Sequence, residues 1–230
     1  MIKKLGLILE CDSDGPDQTV FQCLIRRLSP DTVVVAKPQG SKKKVYLNAA
    51  DVARDLVDVD KCDLVLIVWD QRPLWEDAEK EIIARNCRDE RAMMLDCLEG
   101  LPEAVMSRTR LLCISSELET WLLADDSAIR EYFSTKPHKC KWRGVKYDAN
   151  ANAKGTLISL SIKHRGQGRR YSDFFEAIRI ARLIKTTRKL RTIPSFARFL
   201  QLLTGDSNRE FLSDGSICGE LSHETAMKGR

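Results

Sequence analysis

The chain has 230 residues, enough for one large domain or for one domain with a smaller extension. Its 43% hydrophobic content is ample for a core, and its 31% charged content is not that of a disordered chain. No stretch reaches the roughly 20 apolar residues that span a bilayer. The opening MIKKLGLILECD lacks the longer apolar core and small-residue cleavage site of a signal peptide, so a cytoplasmic protein without a membrane partner is expected. The 8 cysteines form no CxxC pair and sit mostly in apolar contexts, as in a reducing compartment, which argues against a zinc ribbon. The net charge of +5 conceals an asymmetry. Residues 1–135 carry 18 basic and 25 acidic side chains, a net −7, whereas Lys136 to Arg198 holds 17 basic side chains against three acids, a net +14. An acidic front half and a basic back half suit a polyanionic partner, nucleic acid above all.

In chain order, Leu5 to Leu9 is an unalternating apolar run, expected as a strand buried on both faces and ending at Glu10. Asp12-Ser13-Asp14-Gly15-Pro16 is turn chemistry, with Ser13 or Asp14 able to cap a helix and Pro16 suited to its first position. That helix, Gln18 to Leu28, places Val20, Phe21, Leu24, Ile25 and Leu28 on one stripe. Thr32 to Ala36 is a second strand, Lys37 to Lys44 a basic loop, and Asn48 a cap for a helix over Ala49 to Val57. Asp63 to Trp69 is the strongest strand signal and again ends in an acid, Asp70. A long helix is expected from Trp75 to about Cys97, and a fourth strand from Arg110 to Ile114. Ser116-x-x-Glu119 matches a capping box. Beyond it, helices are expected over Ser127 to Phe133, Lys154 to Lys163, Ser172 to Leu183 and from Pro194. A polar loop spans His138 to Asn152, and a loose tail follows Gly205. The expected organisation is an acidic-site domain over 1–133, a basic and mainly helical extension packed on it over 134–204, and a tail over 205–230.

Strands alternating with helices predict an α/β domain with a mainly parallel four-stranded sheet, whose functional crevice lies beyond the carboxyl ends of the strands. Glu10, Asp70 and the Glu117/Glu119 pair stand at or just past three such ends. Converging carboxylates are hard oxygen ligands that suit Mg²⁺ or Mn²⁺. For any one of them alone, a helix cap is the plainer role. Lys154, Lys163, Arg165, Arg169 and Arg170 are the candidate nucleic-acid contacts, interleaved with Tyr171 and Trp142 as possible stacking partners. His138, His164 and His223 are scattered, and no Walker-type phosphate loop occurs, so the chain itself is not expected to hydrolyse ATP.

At these acids the chain resembles the Toprim domain shared by topoisomerases, DnaG-type primases and OLD-type nucleases. It is also similar to a family of small bacterial Toprim-like proteins of unassigned function, often encoded beside an ABC- or AAA-type ATPase in phage-defence and mobile-element clusters. LILECDSD (Leu7 to Asp14), LVLIVWDQR (Leu64 to Arg72) and ISSELETWLLAD (Ile114 to Asp125) carry the resemblance, the last most specifically, with a weaker match at Tyr171 and IPSFARFL (Ile193 to Leu200). The resemblance implies a Toprim-like, Rossmann-like fold and a Mg²⁺- or Mn²⁺-dependent nuclease. In it Glu10 is the general acid/base or a ligand, Asp70 a ligand, and Asp14, Glu117 and Glu119 further acids of the cleft. It also implies an ATPase partner and allows a homodimer. Two departures stand out. Cys11 replaces the usual Gly, and Arg72 replaces the second Asp of an Asp-x-Asp pair, where it is placed to clamp a phosphate. With Arg72 there, the alternatives are a one-metal site or a catalytically degenerate binding or regulatory subunit of an ATPase complex.

Overall fold

A computed structural model of the chain describes residues 2–72, 76–77, 82–83, 86–135, 138–145 and 152–204. Four parallel strands form the sheet: β1 (Lys4–Leu9), β2 (Val33–Pro38), β3 (Leu64–Asp70) and β6 (Thr109–Ile114), in the order β2-β1-β3-β6. A separate two-stranded ribbon pairs β4 (Glu76–Asp77) with β5 (Ile82–Ile83). The register sets Leu9 level with Val68, and Asp70 level with Ile114. The unalternating apolar runs of β1 and β3 are explained by helices covering both faces. Pro38, which cannot donate to a ladder, ends the edge strand β2.

The strand order reverses at β1, and the helices follow from it. Parallel crossovers are right-handed, so a connection running one way along the sheet puts its helix on one face and a connection running the other way puts it on the opposite face. The β1–β2 connection, α1 (Pro16–Leu28), lies with Leu5, Leu7, Leu9, Leu66 and Val68. The connections running the other way, α2 (Lys42–Asp58) with α3 (Cys87–Asp96) and α4 (Glu103–Met106), pack with Ile8, Val65, Ile67 and Trp69. Gly6 makes the second packing possible: a Cβ there would lie 3.0 Å from Leu56 Cδ1 and 3.3 Å from Cys62 Sγ.

The α1 face is completed by α5 (Glu119–Ala124), α6 (Asp126–Phe133), α7 (Ala153–Arg165), a π-helical turn (Asp173–Ala177), α8 (Ile178–Leu183), a 3₁₀ turn (Leu190–Thr192) and α9 (Pro194–Thr204). The basic extension therefore shares one continuous core with the sheet, from Leu5 to Phe199. Trp121 is its centre. The indole stacks on Phe199 at 5.4 Å, meets Phe21 and Phe196 edge-on at 5.6 and 5.0 Å, and donates its N–H to Ser195 Oγ at 2.8 Å.

Several expectations are revised. The basic loop ends early: Ser41 caps α2, its Oγ accepting from Lys44 N at 3.3 Å, and Lys42 is buried, while Asn48 lies mid-helix. In place of one helix from Trp75 to Cys97, the described residues form the β4–β5 ribbon and then α3, started by Asn86, which accepts from Arg88 N and Asp89 N. Gly15 rather than Ser13 or Asp14 holds the N-cap of α1, with Pro16 in the first turn as expected. The tail from 205 lies outside the described residues. Among the described residues no helix is long and apolar enough to cross a membrane, and seven cysteines are free.

Replacing Trp121 with Ala removes the ring on which three others pack, and unfolding in denaturant is expected to show a loss of about 3–5 kcal/mol. Trp121→Phe, which keeps an aromatic ring but not the bond to Ser195, is expected to lose less.

Candidate functional site

Glu10 and Asp70 end the two strands that flank the reversal of strand order, the place where an open α/β sheet leaves a crevice. They are neighbours: Asp70 N donates to Glu10 Oε2 at 3.2 Å. The Asp70 carboxylate is held from the loop after β6, its Oδ2 accepting from Leu118 N at 3.3 Å. The loop that supplies this N–H is bent by Ser116, whose φ of 70° lies in the left-handed region and is costly for a residue with a Cβ. Arg72 N donates to Ser116 O at 3.0 Å, so β3 and the loop after β6 stay joined beyond the sheet.

A cavity of about 560 Å³ opens here, lined by Glu10, Asp14, Asp17, Asp70, Asp173 and Phe174 among others. Gly15 and Pro16, where α1 starts, and Gly40 and Ser41, where α2 starts, also line it. The positive ends of two helices thus face a pocket rich in negative side chains and offset part of that charge.

The carboxylates act on one another. Burial pushes Glu10 up to about 7, with Asp17 and Glu90 adding to the rise while Lys42 and the Asp70 N–H oppose it. Asp70 is held well above the ordinary carboxylate range by burial and then by Asp17, Glu119 and Glu10. Burial raises Asp17 to about 6, helped by Asp173 and opposed by Lys154. Burial likewise raises Glu119 to about 7, opposed by its own backbone N–H. Glu10, Asp17, Asp70 and Glu119 therefore form one coupled cluster around Asp70.

Two lysines temper the cluster. Lys42 donates to the buried Glu90 at 2.9 Å and to Gln71 O at 3.2 Å, and Glu90 also accepts from Trp69 Nε1 at 2.8 Å. Lys154 pairs with Asp173 and lies in the field of Glu117 and Glu119; burial works to lower its pKa, but these acids hold it up.

The expected residues take different places. Glu10 and Asp70 meet, and Glu119 joins them from the buried side, where Tyr171 OH reaches its Oε1 at 3.4 Å. Glu119 opens α5 without capping it, so the capping-box role does not hold. Glu117 Oε2 accepts from Lys154 N at 2.8 Å at the start of α7. Asp14 is exposed on the turn that rims the cavity. Arg72, Lys163, Arg169 and Arg170 present exposed side chains. Arg165 is spent internally, donating to Glu176 Oε1 at 2.7 Å and Tyr132 O at 2.5 Å, with its guanidinium over the Tyr132 ring. Tyr171 is buried, and Trp142 donates to Leu123 O, so both serve packing. The structure adds Asp17, Lys42 and Asp173 to the site. In sequence Asp17 is an ordinary acid of a first helical turn, and nothing there says that the turn faces other acids.

Glu10, Asp70, Asp17 and Glu119 supply only oxygen donors, and burial followed by their mutual charges holds their proton affinities up. By chemistry and charge they fit a divalent cation. They are not a finished cage: among the described residues no three His, Cys, Asp or Glu side chains form a group that could hold a metal ion.

These shifts set a pH dependence. An acid with a raised pKa in the folded state binds more protons folded than unfolded, so stability falls as pH rises between the two values. For Glu10 that window runs from about 4.5 to about 7. In chelator, the wild-type melting temperature is expected to fall across this window. Glu10→Gln should soften the fall and melt above wild type at pH 8; equal melting at pH 8 would show that Glu10 carries no such cost. No family model, no curated protein and no solved structure matches the chain.

Proposed function

We propose that this chain is a divalent-cation-dependent phosphodiesterase acting on DNA or RNA, of the Toprim type. The observation that carries the reading is the coupled carboxylate cluster at the reversal of strand order, with Glu10 hydrogen-bonded to Asp70 N. In this reading Asp70 and Glu10 hold the cation (Mg²⁺ or Mn²⁺), with Asp17 and Glu119 sharing its charge. When bound, such an ion lowers the pKa of water and neutralises phosphoryl oxygens. The side chains supply the rest. Glu10, whose proton affinity burial raises, stands where a carboxylate can take and return a proton. It accepts the proton of the water that attacks phosphorus and returns it to the leaving oxygen. The helix starts at Gly15 and Ser41 favour the phosphate's charge at the cavity. Exposed Arg72, Lys163, Arg169 and Arg170 guide the backbone of a polyanion toward it. The cytoplasm, a role in phage or mobile-element defence, and an ABC- or AAA-type ATPase partner complete the proposal.

A second reading has its own support. Arg72 stands where a second acid would complete the ligand set, and no three-ligand group is preformed among the described residues. On that reading the chain is a binding or regulatory subunit of the ATPase complex.

Cleavage of end-labelled DNA and RNA in Mn²⁺ tests the first reading. Glu10→Gln is expected to slow it by at least about 100-fold, the usual range for losing a general acid–base group, and Asp70→Asn, which removes a cation ligand, is expected to slow it as well. Titration calorimetry should show Mn²⁺ binding to wild type that weakens in Asp70→Asn. Cleavage indifferent to both substitutions would sink the enzyme reading. Nucleic-acid binding without any cleavage would favour the subunit.

A further inference from the structure

The rim of the cavity carries a feature that the carboxylate chemistry does not use. Phe174 and Phe175 lie in the π-helical turn Asp173–Ala177, 41% and 62% exposed, their rings edge-to-face at 4.7 Å. Among the described residues they are the only aromatic side chains in the set of large exposed hydrophobics. Phe174 lines the cavity together with Glu10 and Asp70. π-Turns are rare and occur often at functional sites.

The turn is tied down on both sides. Asp173 pairs with Lys154, and its Oδ1 accepts from Phe174 N at 3.0 Å. Glu176 accepts from Arg165 at 2.7 Å, from Tyr132 OH at 2.8 Å and from Ser172 N at 3.0 Å. Two apolar rings are thus held in water by a frame of ion pairs and hydrogen bonds. Exposed Arg169 and Arg170 precede the turn, and exposed Arg179 follows it. An exposed apolar ring face on a segment flanked in sequence by exposed arginines matches a nucleotide: a flat base to stack and a charged backbone to pair.

We infer that Phe174 and Phe175 form a stacking platform for an unpaired nucleobase, and that the substrate of the crevice is single-stranded nucleic acid or a splayed strand end. This rests on the phosphodiesterase reading for what happens in the crevice, but the platform can be tested apart from it. Bases inside a duplex have both faces covered, so only an unpaired or extruded base stacks on a side chain.

The test uses a short oligothymidylate carrying one 2-aminopurine, whose fluorescence is quenched on stacking, titrated with the full chain in chelator and again with calcium. Quenching is expected with wild type. Phe174→Ala is expected to weaken binding roughly tenfold, in keeping with the usual worth of one aromatic–base stack. The double Ala variant should abolish the quench, and Phe174→Trp should restore it. A blunt duplex with the 2-aminopurine inside should bind more weakly and show no dependence on Phe174. Circular dichroism and melting of each variant should match wild type, because both rings are exposed. Ala variants that bind and quench like wild type, or a duplex bound as tightly with the same Phe174 dependence, would overturn the inference. The two readings fail separately. Phe174-dependent quenching without Glu10-dependent cleavage removes the phosphodiesterase and leaves the platform; the reverse result removes the platform alone.

Discussion

The withdrawal of carboxylates from water at the ends of β1 and β3 is the constraint on which the rest of the structure turns. Glu10 and Asp70 are brought together because strand order reverses between their strands, and the reversal follows from where α1 and α2 cross. Asp17 and Glu119 then arrive on α1 and α5, which pack on the same face of the sheet. For each acid burial is the largest cause of the raised proton affinity, and the neighbouring acids add to it. Two helix starts, Lys154 and Lys42 work against it.

Lys42 and Glu90 show how the answer is built. A buried ion pair is weak evidence for stability, because the charges lose their water. Here the pair has a second use. Glu90 also accepts from Trp69, one residue before Asp70, and Lys42 donates to Gln71 O, one residue after it. The buried pair thus brackets Asp70 from the face opposite α1 and places a positive charge in the field of Glu10. What looks like a structural network is also an electrostatic support for the crevice.

Much of this was legible in the residues. Leu5 to Leu9 and Asp63 to Trp69 are apolar without alternation because both their faces are covered, and each ends in the acid that matters. The stripe of α1 emerged as read, with Val20, Phe21, Leu24 and Ile25 buried. The region after Arg72 was not legible, because helix-forming composition there competes with a tertiary pairing, Glu76 with Ile83, that only the fold supplies. Asp17 escaped because an acid in a first helical turn is ordinary until the turn is seen to face other acids. Arg165 misled for the opposite reason: it belongs to a basic run, yet its partners Glu176 and Tyr132 are 11 and 33 residues away. Charge counts say how much charge a segment carries, not which of it is already spent.

The aromatic socket around Trp121 has a consequence for the order in which the molecule comes into being. The sheet is complete once Ile114 has been synthesised, and Trp121 follows within a few residues. The rings that enclose the indole, Phe196 and Phe199, and its hydrogen-bond acceptor Ser195 are made some 75 residues later. Tyr171, which closes over Glu119, also emerges late. The packing around Trp121 and over Glu119 is therefore completed only once residues 171–199 have been made.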